Sequence, residues 1–479
     1  MKKRLFVIIA MSCFVAISAL AKSQWETAIS EYNEYSLPLV NVEVDVSGLS
    51  KEKYIPGHIT IVDAEMRTEG RLVASFDCKL RYRGASSLQY EKKSFAIKLI
   101  DGEGEDLDAN VFGIREENDW ILDAMAIDRI RMRNRVCFDI WNEISKTPYK
   151  TDFGNRNGTL GQFVEVYLNG EYHGLYCMTD KIDRKLLGLK KAKENSDGSV
   201  YVRGVLYKGE AWTDATLLKG YDASEPFDEE AWNGWELQYP DDFPCFYSWK
   251  PLMNLIDFCN TRNAFFKQHY RQHFHYDNLV DYALFIMSLN IIDNNVKNTH
   301  FSCPDINVNE VYLITPWDLD CSLGGLYDGS HYEEYTKTSN LTNNYLFNQL
   351  YYNNVDNFCI SMKERWIELL SGIMSPEAVS LRLEAYAQRF KESGAWQREY
   401  DKWNNNPVPL DLDEELEYVK NWYVNNISAL NKILGVSTGI PSVYSDTSDE
   451  YKYYYLDGKV MMNTSRKNVI HIMNGKKYY

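Results

Sequence analysis

The sequence predicts an α+β protein with a β-rich N-terminal lobe, a mainly helical C-terminal lobe and a small β tail. Alternating and β-branched runs concentrate in residues 38–100, and apolar residues at helical spacing dominate beyond residue 246. Two short strand-like runs, each followed by a turn, occupy the last thirty residues or so. We interpret residues 22–435 as one large domain, 436–449 as a Ser/Asp-rich linker and 450–479 as a small β module.

The N-terminus has the pattern of a secretory signal peptide, residues 1–21. A basic Lys2-Lys3-Arg4 cluster precedes an apolar run that ends at the small-residue site Ala19-Leu20-Ala21. The alternative is a membrane anchor, but an apolar run of about 16 residues is short for a span. We therefore expect an exported protein, periplasmic, surface-held or extracellular, with no membrane span in the mature chain.

The charge of the chain limits its partners. The net charge is −16, and loss of the three basic residues of the leader would take it to −19. Nucleic-acid binding needs clustered Lys and Arg at the phosphates, so we expect no nucleic-acid partner. The cysteines are irregularly spaced without a C-x-x-C pair, which indicates neither a zinc site nor a small disulfide scaffold. Nothing in the sequence fixes the oligomeric state.

The elements are predicted from hydrophobic period and turn residues. Strands are expected at residues 40–46, 59–62, 78–82, 94–99 and 311–314. Asn169-Gly170 predicts a hairpin between 163–168 and 174–178. Helices are expected at 128–146, 252–258, 279–292 and, with a break near 404–409, 364–434. Residues 190–198 and 209–230 are polar, and we interpret them as surface insertions.

A burst of polar residues follows the apolar helix predicted at 279–292. Asp293 and Asn298 have the D-x-x-x-x-N spacing in which kinases use the Asp to accept a hydroxyl proton and the Asn to hold magnesium. Alone the pattern is weak, because Asp and Asn are ordinary turn residues. A second acidic motif, Asp318-Leu319-Asp320, comes just past the strand at 311–314. Two such carboxylates can share a hard cation with phosphate oxygens, or simply form a solvated turn.

Two further stretches could bind phosphate. Arg83-Gly84-Ala85-Ser86-Ser87 is a small-residue turn whose N–H groups and hydroxyls suit phosphate oxygens, with Lys93 and Lys98 downstream as point charges. An ordinary hairpin with solvated lysines is the alternative. Arg133 projects along the apolar stripe of the helix at 128–146, so its guanidinium needs a partner. That partner is either an internal carboxylate, the commoner case, or a bound phosphate.

The ordered set of motifs resembles one known family. The motifs are R-G-A-S-S, K-K-S-F-A-I-K-L, D-W-I-L-D-A, R-M-R-N-R, V-E-V-Y-L-N-G-E-Y-H-G-L-Y, W-E-L-Q-Y-P, D-N-N-V-K-N and P-W-D-L-D. Together they resemble the spore coat protein H (CotH) family of atypical kinases, over roughly residues 40–434. The tail, residues 450–479, separately resembles the C-terminal sorting modules of secreted and surface proteins of the Bacteroidetes.

The resemblance implies a diverged protein-kinase-like fold that uses ATP and Mg²⁺ to phosphorylate Ser or Thr of exported proteins. It implies Asp293 as the catalytic Asp, Asn298 as a metal ligand, and Asp318 as the main metal ligand with Asp320 beside it. It places Arg83, Ser86 and Ser87 at the phosphates. It also implies that Lys93 or Lys98 corresponds to the lysine that protein kinases carry on a strand of the N-terminal lobe. Side-chain alternation predicts that these two lysines lie on opposite faces of the strand.

The chain departs from the family pattern at three points. Asp180 stands where the family tends to have Glu, and Ala85 and Leu88 replace the usual Asn and Trp of the turn. Asp is shorter than Glu, so it weakens a lysine pairing at position 180, and Ala85 and Leu88 alter the phosphate turn relative to the family pattern.

Two other functions fit parts of the sequence. A surface-binding module with a decayed site would use the abundant aromatics, 35 Tyr and 12 Trp, as stacking faces for sugars or proteins. A glycoside hydrolase could use Asp318 and Asp320 as paired carboxylates. The second is the weaker of the two, because acids this close on one loop would struggle to flank a scissile bond.

Overall fold

The computed structural model describes residues 23–63, 73–197, 200–227, 230–241, 246–437, 453–454, 470–473 and 476–478. The predicted signal peptide and most of the predicted linker and tail lie outside these residues. Among the residues described, no helix is both long and apolar enough to cross a membrane.

The helices are assigned as follows: α1 Gln24–Glu31, α2 Arg133–Ile144, α3 Phe246–Cys259, α4 Asn263–His269, α5 Tyr276–Ser288, α6 Thr338–Thr342, α7 Tyr345–Tyr352, α8 Phe358–Leu370, α9 Pro376–Glu392, α10 Ala395–Trp403 and α11 Leu412–Leu434. The strands are β1 Leu39–Val44, β2 Ile55–Val62, β3 Val73–Arg83, β4 Ser94–Ile100, β5 Ala109–Asn110, β6 Glu116–Glu117, β7 Asp119–Asp123, β8 Lys146–Thr151, β9 Gly154–Arg156, β10 Gly161–Leu168, β11 Glu171–Thr179, β12 Lys193–Glu194, β13 Val200–Tyr201, β14 Val205–Gly209, β15 Ala231–Trp232, β16 Trp235–Tyr239, β17 Thr299–Cys303, β18 Leu313–Pro316, β19 Tyr453–Tyr454, β20 Ile470–Met473 and β21 Lys476–Tyr478.

The chain divides into two compact units, which we call the barrel unit and the helical unit. The barrel unit is built from residues up to Ala124 together with Gln162–Met178 and Phe390–Trp403. The helical unit contains Met125–Gly161, Thr179–Arg389 and the residues from Asn404 onward. Each unit is therefore assembled from stretches far apart in sequence.

The barrel unit is a closed barrel of seven strands in the order β1-β10-β11-β7-β4-β3-β2. Closure depends on the parallel pairing of β1 with β10, since β1 also pairs antiparallel with β2. The interior is filled by alternate strand residues such as Val40, Ile97, Leu99 and Val166. The β-rich N-terminal region agrees with the prediction, but the sequence did not predict that the sheet closes.

The hairpin between β10 and β11 turns at Asn169-Gly170, as predicted. Both residues have positive φ, 51° and 85°, which a two-residue turn matching the strand twist requires. The Asn169 side chain bonds both the N–H and the carbonyl of Val44, at 2.8 and 2.9 Å. The turn therefore also fixes the end of β1.

Helix α10 completes the barrel unit from the far end of the chain. Its Glu399 accepts hydrogen bonds from Lys92 Nζ at 2.6 Å and from the Leu175 N–H at 2.7 Å, and the Lys92 and Glu399 side chains are fully buried. Trp403 Nε1 donates to the carbonyl of His173. Gly174 lies under these groups with φ +141°, and a Cβ there would be 2.8 Å from Glu399 Oε2. Position 174 therefore requires glycine, both because of its positive φ and because a Cβ would clash with Glu399.

The helical unit is centred on a five-stranded sheet, β15-β16-β14-β17-β18. Helix α5 is buried along nearly its whole length, as its continuous apolar sequence predicted, and ends at Ser288 rather than near residue 292. Helices α8, α9 and α11 account for most of the helical region predicted at 364–434, with a break between Trp403 and Leu412. Mixed helix and strand content confirms the α+β class.

The polar segment predicted as a surface insertion at 209–230 is mostly exposed, but it is anchored to the core. Most of its described residues lie at the surface, whereas Ala215, Thr216 and Leu218 are at most 1% exposed. The hydroxyls near this anchor are satisfied locally: Thr216 Oγ1 donates to the carbonyl of Ala211 at 2.7 Å, and Thr213 Oγ1 donates to that of Asn233. The segment is an anchored loop.

Candidate functional site

The two acidic segments predicted from the sequence meet at one end of the β17–β18 pair. The antiparallel register places Thr299 opposite Pro316, and the Trp317 N–H donates to the carbonyl of Asn298 at 2.8 Å. Asn298 therefore precedes β17 at the same sheet end where Asp318 follows β18. Both residues have left-handed backbones, with φ of 55° and 56°. Non-glycine residues in this conformation are uncommon, and they recur at functional sites.

Asp293 begins a short 3₁₀ turn, Asp293–Asn295, just past α5. Its carboxylate is held from two sides: Lys297 Nζ lies 3.2 Å from Oδ2, and the Trp212 indole N–H donates to Oδ1 at 3.3 Å. The side chain of Asp293 remains 25% exposed. Asp293 is thus an oriented, solvent-accessible carboxylate on a loop anchored by a buried helix.

The loop carrying Asp318 and Asp320 is fixed by groups beneath it. The Leu319 N–H donates to Asn134 Oδ1 at 3.1 Å, and Asn294 Nδ2 donates to the Trp317 carbonyl at 3.0 Å. Leu319 itself is fully buried, whereas Asp318 is exposed and Asp320 is half-buried. The acidic loop is thus fixed at its middle residue, and the Asp318 side chain on one side of it is open to solvent.

The electrostatics show that the acidic residues share one neighbourhood. Burial raises the pKa of the Cys321 thiol well above its usual value, and the charges of Asp320, Asp318 and Asp293 raise it further. Burial opposes ionisation of Lys297, but its pKa is raised because of Asp293 and, to a lesser degree, Asp318. Lys297 is therefore a cation between the two acidic segments, and Cys321 is a neutral thiol.

The predicted phosphate turn lies in the barrel unit, between β3 and β4. Arg83 ends β3, and Ser86 and Ser87 lie in the 3₁₀ turn Ser86–Gln89. Gly84 has φ +120°, and a Cβ there would be 2.0 Å from Ser87 Oγ, so glycine is required. Lys93 Nζ donates to the carbonyls of Leu88 and Tyr90, at 2.8 and 2.6 Å, and so stays with the turn.

Lys98 lies on β4, whereas Lys93 precedes that strand. Its neighbours Ile97 and Leu99 fill the barrel interior, so Lys98 is on the outer face, where its Nζ lies over the Tyr54 ring at 5.4 Å. Lys93 therefore belongs to the turn, whereas Lys98 belongs to the barrel wall.

The family comparison covers all of these residues. The family model described as CotH kinase protein matches residues 80–430, well over half of the chain. The chain belongs to the CotH family. A search of curated proteins found no match to it. The family inferred from the sequence motifs is thus confirmed, whereas the sorting-module resemblance of the tail stays a prediction because the match ends before it.

The acidic set of this CotH protein offers the right donors for magnesium. Asp293, Asp318, Asp320 and Asn298 supply carboxylate and amide oxygens, which Mg²⁺ prefers. No group of three or more His, Cys, Asp or Glu residues arranged to hold a metal is found in the described part of the chain. Magnesium is commonly bound by one or two carboxylates, with substrate phosphates and water completing the shell. The residues present therefore fit a magnesium–nucleotide site better than an all-protein metal cage.

The structure favours the internal-carboxylate alternative for Arg133. Its guanidinium donates to Asp128 Oδ1 at 2.5 Å and to Glu415 Oε1 at 2.7 Å, and the side chain is 2% exposed. These two carboxylates raise the pKa of Arg133 despite its burial. The charge is already balanced within the helical unit, so we do not assign Arg133 to a phosphate. Asp180, at the family's Glu position, accepts a hydrogen bond from Arg156 Nη2 at 2.8 Å.

Sequence reasoning missed three residues that the structure makes prominent. Asn134 supports the Asp318 loop, Trp212 contacts Asp293, and Lys92 forms the buried pair with Glu399. Their partners lie 185, 81 and 307 residues away in sequence, so no local pattern could have identified the contacts. Asn134 and Lys92 lie within the quoted motifs R-M-R-N-R and K-K-S-F-A-I-K-L, which were the available signals, whereas Trp212 lies in none of the quoted motifs.

Proposed function

We propose that this CotH-family protein is an exported protein kinase that transfers the γ-phosphoryl group of ATP, with Mg²⁺, to Ser or Thr of an exported protein. The observation that carries the proposal is the meeting of the D-x-x-x-x-N segment and the D-L-D segment at one end of β17 and β18. Family membership supplies independent support, since the matched model is described as a kinase. Kinases use the same two kinds of segment, in the same chain order.

Each side chain has a distinct role in the proposal. Asp293 orients the acceptor hydroxyl and takes its proton, for which an accessible and fixed carboxylate oxygen is required. Lys297, bound to Asp293, supplies positive charge where negative charge develops. Asp318 and Asn298 would hold Mg²⁺, with Asp320 beside them. Magnesium, when bound, neutralises phosphate charge in the transition state.

The barrel-unit turn forms a second part of the proposal. Arg83, Ser86 and Ser87 present a guanidinium, hydroxyls and backbone N–H groups, all of which suit phosphate oxygens. Lys93 is the better candidate of the two lysines, because its ammonium is held at this turn. Export remains a proposal based on the N-terminal sequence pattern.

The test is phosphotransfer from ATP labelled at the γ-phosphate, with the chain itself and casein as acceptors. We expect activity in the wild type that is abolished by chelation of magnesium. Asp293→Asn and Asp318→Asn should each lower turnover roughly 10²- to 10⁴-fold while the circular dichroism spectrum is unchanged. Asp328→Asn is the matched control, since Asp328 is an exposed turn residue bonded only to Ser330 among the contacts described.

Two outcomes would overturn the proposal. Normal turnover in Asp318→Asn would remove the metal-ligand role. Absence of both phosphotransfer and magnesium-dependent ATP binding in the wild type would leave a binding protein on a kinase-family scaffold.

A further inference from the structure

Trp212 is unusual among the tryptophans of this protein. All twelve lie within the described residues, and Trp212 is the one classed as exposed, with 51% of its surface accessible. Large aromatic side chains are normally buried because their transfer from water is favourable. Its indole N–H donates to Asp293 Oδ1. The exposed tryptophan therefore contacts the carboxylate proposed to take the acceptor proton.

The loop that carries Trp212 is held by hydrogen bonds and by buried side chains. Its Glu210 and Ala211 N–H groups both donate to the Gly234 carbonyl, at 2.9 and 3.1 Å. Thr213 and Thr216 close an internal hydrogen-bonded turn, and the buried side chains of Ala215 and Leu218 anchor it to the core. The backbone that carries Trp212 is therefore anchored on both sides of this residue.

The same loop is attached directly to the catalytic segment. The Asn298 N–H donates to the Gly209 carbonyl at 2.8 Å, three residues before Trp212. A Cβ at Gly209 would lie 2.7 Å from the Val296 carbonyl oxygen, so the two backbones are in close contact. The position of Trp212 is thus coupled to the backbone that carries Asp293 and Asn298.

The two donors to Asp293 differ in kind. Lys297 lies four residues after Asp293 in the same segment. Its ammonium is on a flexible side chain, so it can balance the charge of the carboxylate without fixing the orientation of the carboxylate plane. The indole N–H reaches the other oxygen from a different segment. Each carboxylate oxygen therefore has its own donor, and the two donors come from different segments of the chain. Together they restrict rotation of the Asp293 carboxylate, whereas Lys297 alone would not.

From these contacts we propose that Trp212 is a positioning residue of the phosphotransfer site, acting through Asp293. The indole N–H fixes the rotamer of the carboxylate so that its proton-accepting lone pair faces the acceptor hydroxyl. Catalytic groups held to within a fraction of an ångström need such second supports. The inference rests on the proposed kinase activity, and it adds a residue that no sequence motif identified.

The kinetic test compares three substitutions with the wild type in the casein assay. Trp212→Phe keeps the ring and removes the donor, Trp212→Ala removes both, and Trp212→Gln restores an N–H of similar reach. We expect Trp212→Phe to lower kcat about three- to tenfold with KM for ATP unchanged, the effect of one lost hydrogen bond. Trp212→Gln should recover most of the loss. Tyr352→Ala, an exposed aromatic of α7, is the control for surface truncation.

A second readout does not require activity. The indole N–H resonance of Trp212 can be assigned by its absence in Trp212→Phe. In Asp293→Ala this resonance should move and exchange with solvent faster, whereas in Asp328→Ala it should not.

The outcomes separate the two proposals. If the wild type is inactive but the indole resonance changes in Asp293→Ala, the kinase function is refuted and the contact between Trp212 and Asp293 is confirmed. An active wild type with normal kcat in Trp212→Phe, or equal loss in Trp212→Phe and Trp212→Gln, overturns the positioning role. If the indole resonance is unchanged in Asp293→Ala, the positioning role is overturned whether or not the wild type is active.

Discussion

The buried Lys92–Glu399 pair should make a large contribution to the stability of the barrel unit. Both side chains are fully buried, and the Lys92 ammonium also donates to the Leu175 carbonyl at 2.7 Å. Replacing Glu399 with Gln removes the negative charge that this buried ammonium contacts. Breaking a buried pair in this way costs about 3–5 kcal/mol. We expect Glu399→Gln to destabilise the barrel unit by about 3 kcal/mol, and Glu399→Ala by more, because it also strips the acceptor from the Leu175 N–H.

The double variant Lys92→Met/Glu399→Gln tests the mechanism of this loss. It removes both charges, while the Gln oxygen can still accept from the Leu175 N–H. Replacement of a whole buried pair is often nearly neutral. The double variant should therefore be more stable than Glu399→Gln alone, despite one more substitution.

The assay is native-state hydrogen exchange of amides in β4 and β11, since a chain of two units need not unfold in a single transition. The control is the Lys420–Glu384 pair, followed by exchange of amides in α9 and α11, where these residues lie. Its side chains are 21% and 48% exposed, and its loss should cost below about 1 kcal/mol. Protection of β11 in Glu399→Gln within about 1 kcal/mol of the wild type would refute the reasoning. A double variant less stable than the single would do so as well.

Three further predictions concern the helical unit. Asn134→Ala, which removes the acceptor for the Leu319 N–H, should lower phosphotransfer several-fold with little change in unfolding by urea. Arg133→Met should destabilise the helical unit by roughly 3 kcal/mol or more, because the buried carboxylates of Asp128 and Glu415 both lose the guanidinium charge, and Arg133→Lys should leave KM for ATP unchanged. Burial, with Lys208 nearby, lowers the pKa of His300 from 6.5 to about 3. The unfolded state then binds the proton more readily, so stability falls as pH drops from 6.5 towards 3, and urea titrations should show this slope flattened in His300→Gln.

Much of the fold was accessible from local sequence. The alternating strands, the Asn169-Gly170 turn and the buried helix α5 each follow from a pattern of a few residues, and their positions agree within a few residues at the ends. Closure of the barrel was not accessible, because it depends on β1 pairing with β10 more than a hundred residues later. Alternation in one strand predicts a face, but it does not identify the neighbour on either edge.

Part of the candidate site could likewise be predicted from local sequence, and part of it could not. The Asp293 and Asp318 segments were found because Asp and Asn at fixed spacing are visible in the sequence, and their proximity follows from the antiparallel β17–β18 register. The partners of Arg133 remained open because a helix stripe shows only that a charge is buried. The loop at 209–230 lies mostly at the surface, as its polar composition predicted, but its buried anchor at Ala215, Thr216 and Leu218 could not be predicted from composition.

The barrel unit takes its last element, α10, from residues 395–403, which has a consequence for how the protein reaches its native state. A nascent chain that has emerged only as far as β11 contains all seven strands, yet Lys92 lacks its counter-charge until some 220 further residues have been made. Contacts of such long range slow folding and prolong exposure of incomplete intermediates. Assembly of the barrel should therefore finish late, after the helical segments encoded in between have been synthesised.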